Sequence, residues 1–388
     1  MKKLLSLFVI AIAALTLTSC KSNDEFKVGF IFLHDESSTY DANFINACKE
    51  VKEELKLTDK QVLIKTNIPE EVDKVYDAAA DLVDQGCKVI FADSFGHEDG
   101  MVKAAKKFTD VQFCHATGVQ AHLLKLANFH NAFASIYEGR YIAGIAAGMK
   151  LNQMIAAGKI KSEEAIMGYV GAFPYAEVIS GFTSFYLGAK SVCPSVKMTV
   201  RYTNSWYNVT DENETAKKLI NADKAVLISQ HADSMGAPNA CQEANVPNVF
   251  YNGTTNLSTY LVSSRINWAP YFKYMINSTK NGVAMGYDWI GTLATGSVEV
   301  LTLNEELAAS GTKDALDAAK ASLIDGTLKV FATANFTYQG KNVTSHLVDI
   351  DGDKKDEEVV SDGYFHESEK RSAPYFDLII DGITSITE

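Results

Sequence analysis

From Phe26 onward, short apolar runs alternate with stretches of helical periodicity, and the series occurs twice. The run Lys27-Val28-Gly29-Phe30-Ile31-Phe32-Leu33 has the length and continuity of a strand buried on both faces. Residues 41–56 then place Phe44, Ile45, Cys48, Val51 and Leu55 at helical spacing. Further strands are expected at 62–64, 88–92, 111–115 and 123–129. One helix is expected between Pro69 and Gly86, which suit its two ends, and another over 98–107. A long helix over 135–150 leads into the polar stretch 159–163, and the alternation restarts at Ala165. Strands over 165–170, 196–202, 224–228 and 247–251 interleave with helices over 174–190, 211–222 and 235–244. Alternation of this kind builds parallel sheets through right-handed crossovers. At 388 residues the chain is too long for one ordinary core and suits two α/β lobes. The expected division is 26–141 plus 252–280 for the first lobe and 142–251 plus 281–340 for the second. The chain would cross between lobes near 142–165, 252–258 and 280–290, leaving 341–388 as a C-terminal extension.

The first residues have a different purpose. Lys2 and Lys3 precede an apolar run from Leu4 to Leu17, too short to span a bilayer comfortably, and small residues follow. This reads as a signal peptide over residues 1–19. Leu17-Thr18-Ser19-Cys20 resembles a bacterial lipobox, so Cys20 is the expected lipidation site, residues 20–25 the linker, and the cell membrane, facing the periplasm or exterior, the expected location. The other cysteines, Cys48, Cys87, Cys114, Cys193 and Cys241, show no zinc-ligand spacing. They read as structural, with a Cys193–Cys241 or a Cys87–Cys114 bridge left open. A formal charge of −12 excludes nucleic acid as a natural partner, since that needs a dense basic footprint. No GxGxxG or GxxxxGK[ST] pattern follows any strand, and no cofactor is expected.

In two-lobed α/β proteins the ligand lies at the carboxyl ends of the strands. The residues just after each expected strand are therefore the informative ones. They include His34-Asp35, Asp93-Ser94-Phe95-Gly96-His97, Ala116-Thr117-Gly118, Thr203-Asn204-Ser205-Trp206-Tyr207 and Gln230-His231-Ala232-Asp233-Ser234. Rings, amides and carboxylates dominate, and cations are nearly absent. Such a cleft suits a flat, neutral ligand, with rings against its faces and polar groups at its edges.

With Gly168-Tyr169-Val170-Gly171-Ala172-Phe173-Pro174 and Asn267-Trp268-Ala269-Pro270-Tyr271, these segments resemble the basic membrane protein family, in this order and at the ends of successive strands. Those proteins are substrate-binding lipoproteins of ABC importers. The resemblance implies a type I periplasmic binding protein-like α/β fold, with two Rossmann-like lobes of parallel sheet joined by a hinge. It also implies a purine base or purine nucleoside as ligand and an ABC transporter permease as partner. This chain departs from the nucleoside-binding branch in places. Ser38 occupies the stacking-ring position after the first strand, so Tyr40 or another aromatic must stack instead. Asn252 and Thr254 replace carboxylates that hold ribose, and Ile266 sits where a lysine would be, which favours a free base.

The expected ligand-binding residues are Asp35, Tyr40, Phe95, Phe173, Asn204, Trp206, Asp233, Asn252 and Trp268. Asp35 and Asp233 read equally as helix caps. Phe173 reads nearly as well as a structural ring, and packing is the better reading of Trp268. Asp349, Asp351 and Asp353 around Gly352 form a calcium candidate, but the spacing departs from the EF-hand and fits an acidic hairpin turn better. A nucleoside-processing enzyme and a ligand sensor on the same fold remain as alternatives; an enzyme would need an anion site or metal cluster that the post-strand loops lack.

Overall fold

The computed structural model describes residues 25–387, so the signal peptide and Cys20 lie outside the described residues. In chain order the sheet strands are β1 (Lys27–Ile31), β2 (Val62–Lys65), β3 (Cys87–Ala92), β4 (Gln112–Ala116), β5 (Phe129–Ala134), β6 (Ile166–Gly171), β7 (Lys197–Tyr202), β8 (Leu227–His231), β9 (Asn248–Tyr251), β10 (Tyr260–Ile266), β11 (Asp288–Gly291) and β12 (Val298–Val300). The first sheet is parallel throughout, in the order β11-β5-β4-β3-β1-β2. The second runs β12-β10-β9-β8-β6-β7 and ends on a strand at Ile383–Ile386; only the β10–β12 pair is antiparallel. In both sheets the order reverses beside the first strand of its series, and there the post-strand loops diverge to leave a crevice.

The lobe boundaries differ from the expected ones. The helix Ile136–Ala156 belongs to the second lobe from its first turn. It packs against the helix Ala176–Val192 through glycines: a Cβ on Gly144 would lie 2.1 Å from the Phe185 carbonyl oxygen, and one on Gly188 2.0 Å from that of Tyr141. β10, assigned to the first lobe from sequence, pairs with β9 in the second sheet, and β11, assigned to the second, pairs with β5 in the first. The chain therefore crosses between lobes at 134–136, 266–269 and 291–298. The polar stretch at 159–163 is no hinge; it leads into a single helical turn, Ser162–Glu164, ahead of β6.

The fifth strand also moved. Ala121–Leu124 is a helical turn that ends on Lys125 at φ 50°, and β5 starts only at Phe129. The Asn128 amide donates to the carbonyls of Ala105, Phe108 and Val111, which fixes the chain just before that strand. All five described cysteines are buried and free, so neither disulfide left open from sequence is formed. Their thiols serve as small apolar groups.

The extension is part of the fold. Phe331, Phe365 and Phe376 group together and continue the main core, with Phe331 stacked on Phe376 at 4.4 Å and meeting Tyr137 of the long helix at 5.2 Å. The hairpin Leu347–Val348/Glu357–Glu358 carries the acidic turn, where one carboxylate oxygen from each of Asp349, Asp351 and Asp353 lies within 4.8 Å of the others.

Candidate functional site

The lobes meet directly across the crevice. Thr39, in the first turn of the helix Thr39–Glu54, donates its backbone N–H and its hydroxyl to the Asp233 carbonyl in the second lobe, at 3.0 and 3.2 Å. Phe95 and Tyr175 approach from opposite lobes with centroids 5.9 Å apart, and His34 meets Tyr207 at 5.5 Å. Between these contacts lies a cavity lined by residues of both lobes.

The first-lobe wall is built around Asp41. Ser38 caps the helix Thr39–Glu54 by accepting from the Asp41 N–H, and its hydroxyl donates back to the Asp41 carboxylate at 2.6 Å. The other carboxylate oxygen accepts the His34 N–H at 2.7 Å. Burial pushes the Asp41 acid up, but the bonds from His34 and Ser38 prevail and hold it below its ordinary range. Asp93 behind it is pushed well up, by burial first and then by Asp41. The Asp93 carbonyl accepts the Tyr40 hydroxyl at 2.9 Å, which sets the angle of that ring in the wall. Phe95 stands exposed on the short turn after β3. Thr117, at φ 65°, follows β4 and lines the cavity; the chain then passes so close to Asn131 and Glu98 that a Cβ on Gly118 would sit 2.2 Å from the Asn131 amide nitrogen.

The second-lobe wall holds Glu177, Trp206, His231, Asp233 and Tyr251. Trp206 stands edge-on to Phe173 at 5.2 Å, and Phe173 stacks on Tyr175 at 5.0 Å, so the three rings brace one another. Asp233 donates its N–H to the Trp206 carbonyl at 2.9 Å, tying the β7 and β8 loops together. Burial pushes the Asp233 acid well up, helped by Glu212, and burial raises Glu177 to about 7 against the pull of Arg140. Burial, with Arg140 next, holds the His231 imidazole well below its usual range, so this ring is neutral. Arg140 is itself buried, its guanidinium 3.4 Å over the Tyr251 ring and one Nη donating to the Gln230 carbonyl at 2.8 Å. It forms a second layer behind the cavity lining.

Of the residues expected from sequence, Tyr40, Phe95, Trp206 and Asp233 are brought together in the cavity walls. Asp233 caps no helix; the helix Gly236–Ala244 begins after Met235. Phe173 supports Trp206 from behind. Asp35 lies off the cavity and accepts the Ser37 N–H at 3.0 Å, shaping the turn that Ser38 then caps. Asn204 is exposed at φ 54° in a turn. Asn252 is buried at φ 60°, its N–H given to the Ser264 carbonyl, and its side chain does not line the cavity. Trp268 stacks on Phe44 at 4.4 Å inside the first-lobe core. His34, Thr117, His231 and Tyr251 stood in the post-strand segments and Glu177 close after one, but none was chosen as a ligand residue, and sequence reasoning missed Asp41 altogether. For Asp41 the signal was present: Ser38 and Asp41 are three apart at a helix start, the spacing of a reciprocal cap.

Two largely parallel sheets, three crossings and a cavity between the lobes define the type I periplasmic binding protein fold. An ABC transporter solute-binding protein from Aeropyrum pernix K1 has this architecture, with a TM-score of 0.66 at 14% identity over 79% of this chain and 93% of that one. The sequence goes further: residues 30–327 match the family described as ABC transporter substrate-binding protein PnrA-like, and the chain belongs to that family. It is 35% identical over 263 residues to a purine-binding protein of Brucella abortus (strain 2308), covering 65% of this chain and 68% of that protein. It is 31% identical over 251 residues to a protein of Haloferax volcanii provisionally named an ABC transporter glucose-binding protein, covering 64% of this chain and 60% of that one.

Proposed function

We propose that this chain is a lipid-anchored purine-binding protein that takes a purine base or nucleoside into the interlobe cavity and delivers it, chemically unchanged, to an ABC permease. The observation that carries the reading is the composition of the cavity wall. Tyr40, Phe95 and Trp206 offer ring faces, and Asp233 and Glu177 offer carboxyl groups that burial drives toward the neutral, hydrogen-bond-donating form. A flat uncharged heterocycle with acceptors and donors on its rim is matched by both. The Brucella abortus relative supports the same ligand class.

Aromatic rings also suit a sugar, and the name of the Haloferax volcanii relative makes glucose the second reading. Calorimetric titration of the soluble body with adenine, hypoxanthine, guanine and glucose separates the two. A purine that binds and raises the melting temperature supports the proposal. Binding of glucose alone sinks it, and release of free base from added inosine would replace the binder with an enzyme. For the anchor, Cys20→Ser in the full chain should move the protein from the membrane to the soluble fraction on fractionation.

A further inference from the structure

The family match ends at residue 327, and the chain beyond it joins neither main sheet until Ile383–Ile386 lies along β7. Both ends of this segment are held by the second lobe. At the near end Phe331 meets Tyr137 of the helix Ile136–Ala156 at 5.2 Å. At the far end the Gly382 carbonyl accepts the Met198 N–H of β7 at 3.0 Å. The middle reaches the other lobe. The Ser372 N–H donates to the Asp288 carboxylate on β11 at 2.6 Å, and the other oxygen of that carboxylate pairs with His122, also of the first lobe. The acidic hairpin arrives at the same place: a Cβ on Gly352 would lie 3.7 Å from Leu123, the neighbour of His122. We propose that residues 328–387 are a strap that fastens the lobes in the contacting form, and that its hold on Asp288 sets how readily the cleft opens and how fast a ligand leaves.

The strap is stiff where it crosses. The Arg371 guanidinium is engaged within the segment itself: Nε donates to the Ala373 carbonyl, one Nη to those of Asp349 and Ile350, and the other to that of Pro374. The acidic hairpin and residues 371–374 therefore move as one body, and both first-lobe contacts belong to it. On its other side the buried Glu367 carboxyl accepts the Tyr375 N–H at 3.3 Å and a bond from Ser180 of the second lobe. The bond across the lobes is shielded, since Ser372 is fully buried and the Asp288 side chain is 9% exposed. Water competes poorly for such partners, and an N–H bond to a carboxylate is among the stronger kinds. Ala373 and Pro374 line the same space as Phe95 and Val119 of the first lobe and Tyr175 of the second, so the body sits on a flank of the cleft, where the lobes part. Rotation about the three crossings would carry Asp288 away from a segment fixed to the second lobe, and the Ser372 bond would have to break. A segment that only enlarged the second lobe would bond to that lobe alone.

The test reads the lobes directly. Spin labels on Lys74→Cys in the first lobe and Glu214→Cys in the second, both exposed positions, report the distance across the cleft in the ligand-free protein by pulsed electron resonance. Adenine dissociation is followed by stopped flow. Asp288→Ala removes the first-lobe anchor; the distance should shift to longer values, and adenine should leave about tenfold faster or more. Asp288→Asn keeps an acceptor for the Ser372 N–H and should restore the wild-type distance, with dissociation within about threefold of wild type. An unchanged distance in a folded Asp288→Ala variant overturns the strap, whether or not the rate moves, because a faster rate alone is a change in the cavity. Ser372→Pro removes the N–H from the other side and should reproduce Asp288→Ala; should Asp288→Ala fail to fold, Ser372→Pro decides by the same two readings. The distance needs no ligand, so a wild type that does not bind adenine brings down the purine reading and leaves the strap to be judged by distance.

Discussion

On the first-lobe wall, Asp41, Ser38, His34, Tyr40 and Asp93 bond mainly to one another, through loops that stay within that lobe. On the second-lobe wall, both His231 nitrogens, the Tyr251 hydroxyl, and Nε and one Nη of Arg140 behind them are buried without a hydrogen-bond partner. Buried polar groups left single cost about 1–3 kcal/mol each, so their concentration in one place calls for a reason. The difference assigns the walls different tasks. The first wall is the more self-satisfied, though Asp93 Oδ2, His97 Nδ1 and His115 Nδ1 stay single behind it, and the second carries more of the spare hydrogen-bonding capacity through which a ligand is read.

The sharpest way to break that division is to compare two tryptophans. Trp268→Ala, deep in the first lobe, should cost about 3–5 kcal/mol of stability, seen as a large fall in denaturation midpoint. Trp206→Ala should leave the midpoint near wild type and remove about 1–3 kcal/mol of purine affinity, the usual worth of one aromatic face against a base. If Trp206→Ala unfolds the protein instead, the cleft ring is a core ring and the division fails.

The paired acids give the next largest contrast. Asp41→Asn removes an ionised acceptor that organises the first wall, and purine affinity should fall about tenfold or more by titration calorimetry. Asp233→Asn exchanges a group that burial drives toward neutrality for a neutral one of the same shape, and affinity should stay within about threefold. Equal losses would show that both acids work as carboxylates.

The smallest effect concerns pH. Glu177 is raised to about 7 by burial, as are Glu138, Glu212 and Glu367 elsewhere in the fold. Between their unfolded values, near 4.5, and 7 the folded state binds more protons than the unfolded one. Stability of the ligand-free protein should therefore fall as pH rises through that window. Melting curves from pH 5 to 8 should shift downward, and Glu177→Gln should flatten part of the slope. A curve that rises with pH would mean that these acids are ionised and paired.

Most of the architecture was legible because its signals are local. The apolar runs of β1, β3, β6 and β9 sit within one or two residues of their observed positions, and the helices between them start and stop near their expected ends. The lobe boundaries were not legible. They depend on which sheet accepts β10 and β11, and on Gly144 and Gly188 letting two helices touch, which is pairing over distance. The site was legible at the loops and illegible in depth. Trp206 and Asp233 follow strands directly and were found; Asp41 lies in a helix, and Arg140 approaches from behind the wall, so position after a strand could not reveal them. Trp268 and Asn252 show the converse, since polar or post-strand surroundings do not by themselves carry a side chain to the cavity.

One short strand closes the outer edge of the second sheet. Ile383–Ile386 lies along β7 and covers backbone groups that would otherwise stand open. Loss of that strand would expose an adhesive margin, and the protein would clump.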